Sequence, residues 1–147
     1  KTLCTAESCT GGLLGKLLTD VPGSSRVYLG GIISYTNAVK MRLLHVSAQT
    51  LDAHTAVSAQ TAGEMARGAR RQLGADIAVS VTGLAGPDGD GTGRPVGLVY
   101  IALDADGGCI VQQLHLSGDR AAIRMQAAQA VFALMHDTLG GTDERSV

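Results

Sequence analysis

The sequence is poor in aromatic residues and carries little net charge. It has no tryptophan and one phenylalanine among 147 residues, so it offers little ring surface on which nucleobases could stack. Twelve basic residues face thirteen acidic ones, and a net charge of −1 gives no electrostatic reason to expect a nucleic acid or an anionic membrane as partner. No apolar run reaches the roughly 20 residues that cross a bilayer. The composition therefore predicts neither a nucleic-acid-binding protein nor a membrane protein.

Cysteine is scarce as well. The three cysteines, Cys4, Cys9 and Cys109, are odd in number and lack the spacing of a disulfide framework. Such a set favours free thiols in a reducing compartment, and hence a cytoplasmic location. The four histidines are scattered without the spacing of metal ligands, so no metal site is expected.

Glycine, by contrast, is abundant, and its 20 residues divide the chain into short segments. Extended apolar segments alternate with segments of helical periodicity, and the last two extended segments form a hairpin. This order predicts one domain over 1–147 with a three-layer α/β/α fold, whose mixed sheet is mostly parallel with one antiparallel strand. We expect strands at 2–6, 27–35, 75–81, 96–103 and 109–116, helices at 12–20 and 37–44, three more helices capped by Ser47, Ser58 and Asp119, and a loose tail at 140–147.

The segment TAESCTGGL, Thr5–Leu13, carries the clearest chemical signal. It places Ser8 at the end of an extended run and just before a helix start. In nucleophilic hydrolases such a turn exposes the hydroxyl, and free backbone N–H groups at the helix start hold an oxyanion. The alternative is a helix cap or a buried turn hydroxyl. The sequence has no G-x-S-x-G motif, and Gly11 at the third position after Ser8 excludes S-x-x-K.

The neighbours of Ser8 allow two interpretations each. Glu7 either orients the base or binds an amide, or it is a carboxylate favoured by the dipole at a helix start. Thr10, Gly11 and Gly12 either supply N–H groups to an oxyanion or phosphate, or the glycines only shape the turn. The pair Gly30-Gly31 in the second strand predicts a bulge or a close backbone approach.

A base for Ser8 must come from elsewhere, since no histidine sits in a glycine-bounded loop. Tyr35 and Lys40, in SYTNAVK, flank a strand-to-helix turn and could point into one pocket. A lysine desolvated beside a serine is neutral enough to take the serine's proton. The alternatives are a solvated helix lysine and a tyrosine half packed at a strand end.

Two later segments could contact a ligand. The glycine-rich loop in 80–97 follows an apolar strand, and open α/β sheets bind ligands at the carboxyl ends of their strands. The loop fits neither a P-loop nor a Rossmann motif, Thr82 could hydrogen-bond a substrate, and a solvated connection is the alternative. Arg120 and Arg124, one helical turn apart, form a phosphate or carboxylate clamp, or else they pair with Asp119 or belong to a surface stripe.

Taken together, these segments resemble the C-terminal domain of the competence/damage-inducible protein CinA, a family that includes stand-alone nicotinamide-nucleotide amidohydrolases. The segments AESCTGG, PGSS, SYTNAVK, SVTGLAGPDG, RPVG and SGDRAAIR occur in that family's order over roughly 2–139. The resemblance implies an α/β/α fold with a five-stranded mixed sheet. It also implies hydrolysis of the carboxamide of nicotinamide mononucleotide (NMN) to nicotinic acid mononucleotide and ammonia, without a metal or organic cofactor.

The resemblance also implies roles for individual residues. Ser8 attacks the amide carbon, and Lys40, assisted by Tyr35, takes the serine proton and returns it to the leaving ammonia. Backbone N–H groups near Thr10–Gly12 hold the oxyanion, and Thr82 with the two arginines holds the 5′-phosphate or ribose. The substrate-binding positions expected on this basis are Glu7, Thr10, Gly11, Gly12, Thr82, Gly83, Arg120 and Arg124.

Two other functions stay open, a non-catalytic nucleotide-binding module that regulates a partner in recombination or competence, and hydrolysis of another small amide. The joint presence of Ser8, Tyr35 and Lys40 favours the enzyme. The chain begins almost within a strand and lacks the helix that usually precedes it in this family, so we expect a trimmed N-terminus. A glycine- and alanine-rich domain of this size is expected to form a homo-oligomer.

Overall fold

The computed structural model describes residues 1–140, so positions 141–147 of the predicted loose tail lie outside the described residues. Five strands form one sheet in the order β2-β1-β3-β4-β5. The strands are β1 (Leu3–Glu7), β2 (Tyr28–Ile33), β3 (Ile77–Gly83), β4 (Leu98–Ala105) and β5 (Gly108–His115). β1 pairs in parallel with β2 and β3, whereas β4 runs antiparallel to β3 and β5. Within 1–140, β4 alone points the other way, and the predicted mixed, mostly parallel sheet is confirmed.

Helices cover both faces of this sheet. They are α1 (Leu13–Thr19), α2 (Asn37–Leu44), α3 (Ala48–His54), α4 (Ala59–Leu73) and α5 (Arg120–Leu139). One apolar core joins α1 and α5 to the sheet, and a second joins α2, α3 and α4 to its other face. The predicted three-layer α/β/α architecture is therefore confirmed. None of the helices within 1–140 combines the length and hydropathy needed to cross a membrane.

The two faces of the sheet carry side chains of different size. Val79 and Val81 of β3 and Ile101 of β4 pack toward α1 and α5, whereas the alternate positions Ala78 and Ala102 pack toward α4. Small side chains on the α4 face let this helix lie close to the sheet, because strand side chains alternate between the two faces. Ser80 Oγ accordingly donates to a carbonyl of α4, that of Ala62, at 2.6 Å.

The predicted helix caps are confirmed at Ser47, Ser58 and Asp119. The side-chain oxygen of each accepts the backbone N–H three residues on, and the helices begin at the next residue. Thr36 caps α2 in the same way. These local bonds fix where each helix leaves its preceding turn.

The predicted irregularity at Gly30-Gly31 is confirmed as well. The register of β1 against β2 shifts between Leu3 and Cys4, so Leu29, directly before Gly30, has no partner in β1. Gly31 stands directly against the Thr5 side chain, where a Cβ would overlap with the hydroxyl oxygen. The register shift and the close contact set the path of β2 toward the residues that follow it.

Sheet order brings three chain segments to one edge. Because β2, β1 and β3 are parallel neighbours, their carboxyl ends lie side by side. The Ser8 N–H donates to Val81 O at 3.0 Å, and the Ser34 N–H donates to Glu7 O at 2.8 Å. The ends of all three strands are thus tied together directly beside Ser8.

Candidate active site

Ser8 and Lys40 meet at this edge. Lys40 Nζ donates to Ser8 Oγ at 2.9 Å, although 32 positions separate them in sequence. The turn after β2 and the first turn of α2 bring the lysine back to the end of β1. Helix α2 packs closely against α4 at Gly68, where a Cβ would overlap with the Leu44 carbonyl. Lys40 is 1% exposed and Ser8 is 8% exposed. The alternative of a solvated helix lysine is therefore wrong.

The remaining partners of Lys40 are backbone carbonyls. Its Nζ donates to Ser34 O at 2.7 Å and to Tyr35 O at 3.3 Å, and no carboxylate within 1–140 forms an ion pair with it. Burial lowers the pKa of Lys40 from 10.5 to about 8, because the charged form loses its hydration, while a charge interaction with Cys9 acts in the opposite direction. In the neutral amine, two N–H groups can serve the two carbonyls and leave the lone pair for the Ser8 hydroxyl.

The turn after Ser8 is built around two glycines with positive φ, Gly11 at +57° and Gly12 at +108°. The Gly11 N–H donates back to Ser8 O at 3.1 Å. It is therefore not available to an oxyanion, contrary to the expectation from the sequence. Within the described chain, the N–H groups of Thr10 and Gly12 have no acceptor, and Thr10 Oγ1 is buried without a partner. Of the expected oxyanion donors, Thr10 and Gly12 therefore keep a free N–H group and Gly11 does not.

Glu7 is brought to α1 rather than to the cavity. Its carboxylate is buried, Oε1 accepts the Leu14 N–H at 2.8 Å, and Oε2 accepts the Gly15 N–H at 3.2 Å. Gly12, at the N-cap of α1, has no side chain to do this. The expectation that Glu7 contacts the base or the substrate is therefore wrong. The alternative, a carboxylate at a helix start, is the one that the structure shows.

Tyr35 approaches Lys40 through its backbone carbonyl and not through its hydroxyl. The side chain is 60% exposed, and its hydroxyl accepts a hydrogen bond from Arg120 Nη2 at 3.3 Å. Tyr35 still lines the same cavity as Ser8 and Lys40. The phenol is thus placed at the rim, where it meets the start of α5.

The two arginines of α5 do not form a joint clamp. Arg120 lines the cavity and its Nη1 donates to Gly86 O at 2.7 Å. Arg124 lies outside the cavity lining and donates to the carbonyls of Cys9, at 3.1 Å, and Thr10, at 2.9 Å. Neither pairs with Asp119 within 1–140, because the Asp119 carboxylate caps α5. The sequence prediction of one shared phosphate site is corrected on this point.

Thr82 and Gly83 also line the cavity that contains Ser8 and Lys40. Thr82 Oγ1 donates to Ala56 O at 2.7 Å, which leaves its lone pairs for a ligand. Gly83 lines the cavity, but its lack of a Cβ is required by β4, since a Cβ would lie 2.6 Å from the Val99 side chain. The cavity has a volume of about 320 Å³. Besides Ser8 and Lys40, four segments of the chain line it: Tyr35, 56–57, 82–90 without Pro87, and Arg120.

Comparison with known proteins identifies the domain. A family model of the CinA C-terminal domain matches residues 1–139. The chain belongs to the CinA family. A CinA-like protein of Syntrophomonas wolfei is 49% identical over 136 residues, which are 92% of this chain and 32% of that protein. A putative competence-damage inducible protein of Acetivibrio thermocellus is 53% identical over 84% of this chain and 30% of its own length. The chain thus spans about a third of these curated relatives.

Solved structures of CinA proteins share the fold. A competence-damaged protein (CinA) superfamily protein of Escherichia coli superposes with a TM-score of 0.92 at 36% identity, over 94% of this chain and 80% of its own. The competence/damage inducible protein CihA of Agrobacterium tumefaciens gives 0.89 at 40% identity, over 92% and 84%. These neighbours agree with the three-layer architecture described above.

The structure of this CinA domain adds site residues that sequence reasoning missed. Arg94 fastens the loop after β3 to the connection between α3 and α4, since Nη1 donates to Thr55 Oγ1 at 3.0 Å and to the Val57 carbonyl. Asp90 joins the lining beside Asp88. The segment RPVG, which contains Arg94, was the signal for these contacts, but it indicated no role by itself.

Cys9 also lines the cavity, directly after Ser8. Burial raises the pKa of its thiol to about 11, because the thiolate would lose its hydration, so the thiol is protonated at neutral pH. A protonated thiol is a poor nucleophile, which leaves Ser8 as the candidate. Among residues 1–140, no three histidine, cysteine or carboxylate side chains lie close enough together to hold a metal ion.

Proposed function

We propose that this CinA domain is a nicotinamide-nucleotide amidohydrolase, which converts NMN and water to nicotinic acid mononucleotide and ammonia. The observation that carries the proposal is the buried 2.9 Å contact between Ser8 Oγ and Lys40 Nζ, at a cavity wall and without a carboxylate partner in the described chain. A serine beside a lysine with a lowered pKa suits acyl transfer, because the amine can accept the serine proton near neutral pH. Membership of the CinA family supports this class of reaction, and the names of the relatives specify no chemistry.

The first half of the reaction acylates Ser8. Its Oγ attacks the carboxamide carbon while its proton passes to Lys40 Nζ, and the carbonyl oxygen becomes an oxyanion. The carbonyls of Ser34 and Tyr35 stabilise the ammonium that forms, since they already accept its N–H groups. Lys40 then gives the proton to the amide nitrogen, the C–N bond breaks, and ammonia leaves.

The second half repeats the proton transfers with water. Lys40, neutral again, takes a proton from a water molecule that attacks the ester on Ser8. The bond from the acyl carbon to Ser8 Oγ breaks, and the proton returns to the serine. Free N–H groups in the turn after Ser8 would stabilise the oxyanion in both halves.

The charges of the cavity fit a nucleotide with a cationic ring. NMN carries a positive pyridinium and a negative phosphate, and the cavity lining offers carboxylates at Asp88 and Asp90 and a guanidinium at Arg120. Arg120 keeps unused N–H groups after its bonds to Gly86 and Tyr35, so it can bind a phosphate oxygen. We propose Arg120 and Thr82 as substrate-binding residues.

The test compares the parent with Ser8→Ala and a matched control, Ser80→Ala, which removes a buried serine hydroxyl bonded to α4 instead. Nicotinic acid mononucleotide and ammonia are measured after incubation with NMN. We expect the parent and the Ser80→Ala control to form the same amounts of both products, and Ser8→Ala to form neither. No product from a folded, NMN-binding parent would refute the enzyme and favour the nucleotide-binding module. Turnover of nicotinamide itself at the same kcat/KM would favour hydrolysis of another small amide.

The homo-oligomer stays a prediction from the sequence.

A further inference from the structure

The turn that follows the candidate nucleophile is braced by a cation from the other end of the chain. Arg124, in the second turn of α5, donates from Nε to Cys9 O at 3.1 Å and from Nη2 to Thr10 O at 2.9 Å. The same Thr10 carbonyl accepts the Leu13 N–H at 3.1 Å. Arg124 is absent from the cavity lining, so its guanidinium acts on the backbone of the turn from behind.

Two hydrogen bonds each fix the direction of one N–H group in this turn. In a planar trans peptide the carbonyl and the following N–H point in opposite directions, so holding one orients the other. Arg124 holds the Cys9 carbonyl and thereby orients the Thr10 N–H. The Gly11 N–H holds the Ser8 carbonyl and thereby orients the Cys9 N–H. The Thr10 N–H lacks an acceptor within the described chain, and both residues directly follow Ser8.

We infer that Arg124 is a positioning residue, which holds the Cys9–Thr10 peptide so that its N–H can stabilise the oxyanion formed at Ser8. The inference rests on the acyl transfer proposed above. Gly11 and Gly12, which follow this peptide with positive φ, have no Cβ atoms to restrict the backbone, so the bonds from Arg124 add a restraint that these two residues lack. A guanidinium on the carbonyl also polarises the peptide and strengthens its N–H as a donor.

This role differs from a phosphate clamp in the kinetic constant that it changes. A clamp binds substrate and transition state alike, so its loss raises KM. An oxyanion donor acts only on the transition state, so its misplacement lowers kcat and leaves KM nearly unchanged. Loss of a whole oxyanion donor costs about 10²–10³ in kcat, and a donor that is loosened but still present costs less.

The experiment measures Arg124→Gln, Arg124→Lys and the control Arg70→Gln with NMN. Arg70 also donates from Nε to a backbone carbonyl, that of Asp76 at 2.9 Å, but before β3 on the opposite side of the fold. We expect Arg124→Gln to lower kcat about 10- to 100-fold with KM within about threefold. Arg124→Lys should recover part of that loss, because it keeps the charge but not the fork. Arg70→Gln should lower the melting temperature and leave kcat unchanged.

A second readout separates this inference from the proposed function. A small fluorophosphonate forms an adduct with an activated serine and places a P–O oxygen in the oxyanion site, without needing the nucleotide. A parent that labels at Ser8, with slower labelling of Arg124→Gln by a similar factor, supports the inference. Equal labelling rates, or a change confined to KM, would overturn it and leave the proposed function standing. A parent that neither labels nor hydrolyses NMN would overturn both, and Arg124→Lys decides the matter if Arg124→Gln does not fold.

Discussion

Lys40 makes the rate of the proposed reaction depend on pH in a defined way. Its pKa of about 8 means that the neutral amine accounts for about a tenth of the protein at pH 7, half at pH 8 and about nine-tenths at pH 9. Since only the neutral form accepts the Ser8 proton, kcat/KM should rise nearly tenfold from pH 7 to 9 and then level off. The assay is chromatographic measurement of nicotinic acid mononucleotide between pH 6.5 and 10. Because it uses no coupling enzyme, it adds no pH dependence of its own.

The same shift makes a prediction about stability. An unfolded lysine keeps its pKa of 10.5, so between pH 8 and 10.5 the unfolded chain binds a proton that the folded chain has lost. Stability therefore rises with pH in that window, and the shift corresponds to about 3 kcal/mol in total. Lys40→Met lacks this contribution, so urea denaturation should show parent stability increasing relative to Lys40→Met by about that amount from pH 8 to 10.5.

Two outcomes would refute this reasoning. A rate that is constant between pH 7 and 9 would mean that no group with a pKa near 8 acts as the base. A midpoint near 10.5, together with a pH-independent stability difference from Lys40→Met, would mean that Lys40 is hydrated in the folded protein. The second result would contradict the burial on which the proposed base depends.

Three further predictions follow from single contacts. Glu7→Gln should lower the free energy of unfolding by about 1–3 kcal/mol, measured by urea denaturation, because one N–H of α1 then faces an amide NH₂ instead of an acceptor. Gly31→Ala should cost about 1–3 kcal/mol in the same assay, since its Cβ overlaps with Thr5, and an unchanged midpoint would contradict that contact. Arg94→Gln should raise KM for NMN more than it lowers kcat, because the loop at 84–97 loses one of its attachments, and hydrogen exchange should show faster exchange confined to that loop.

The sequence predicted those features that depend on neighbours in the chain. Ser47, Ser58 and Asp119 cap helices through bonds to N–H groups three residues away, so composition and spacing locate them to the residue. The alternation of strands and helices likewise predicts the layers. The strand and helix ends differ from the predictions by one or two residues in most elements, because the last residues of an element are decided by pairing with distant strands.

Apart from Ser8 and Lys40, which the family resemblance paired, partners that are remote in sequence could not be predicted. Arg124 acts on Cys9 and Thr10 from 115 and 114 residues away, and Arg120 acts on Gly86 from 34 residues away. Helical spacing placed the two arginines on one face correctly, but it gave no information on what lies opposite each of them. A one-turn separation is enough to put one at the cavity and the other behind it.

The position of Glu7 explains how Lys40 can be both buried and basic enough to work near neutral pH. A carboxylate beside the lysine would hold its proton and raise its pKa, which would remove the base. Glu7 adjoins Ser8 in sequence, but the N–H groups of Leu14 and Gly15 bind both of its carboxylate oxygens. Lys40 is left with two carbonyls, Ser34 O and Tyr35 O, which satisfy its donors and carry no full charge. The carboxylate that stabilises α1 is thereby kept from acting as a counter-ion, and the pKa of Lys40 stays near 8.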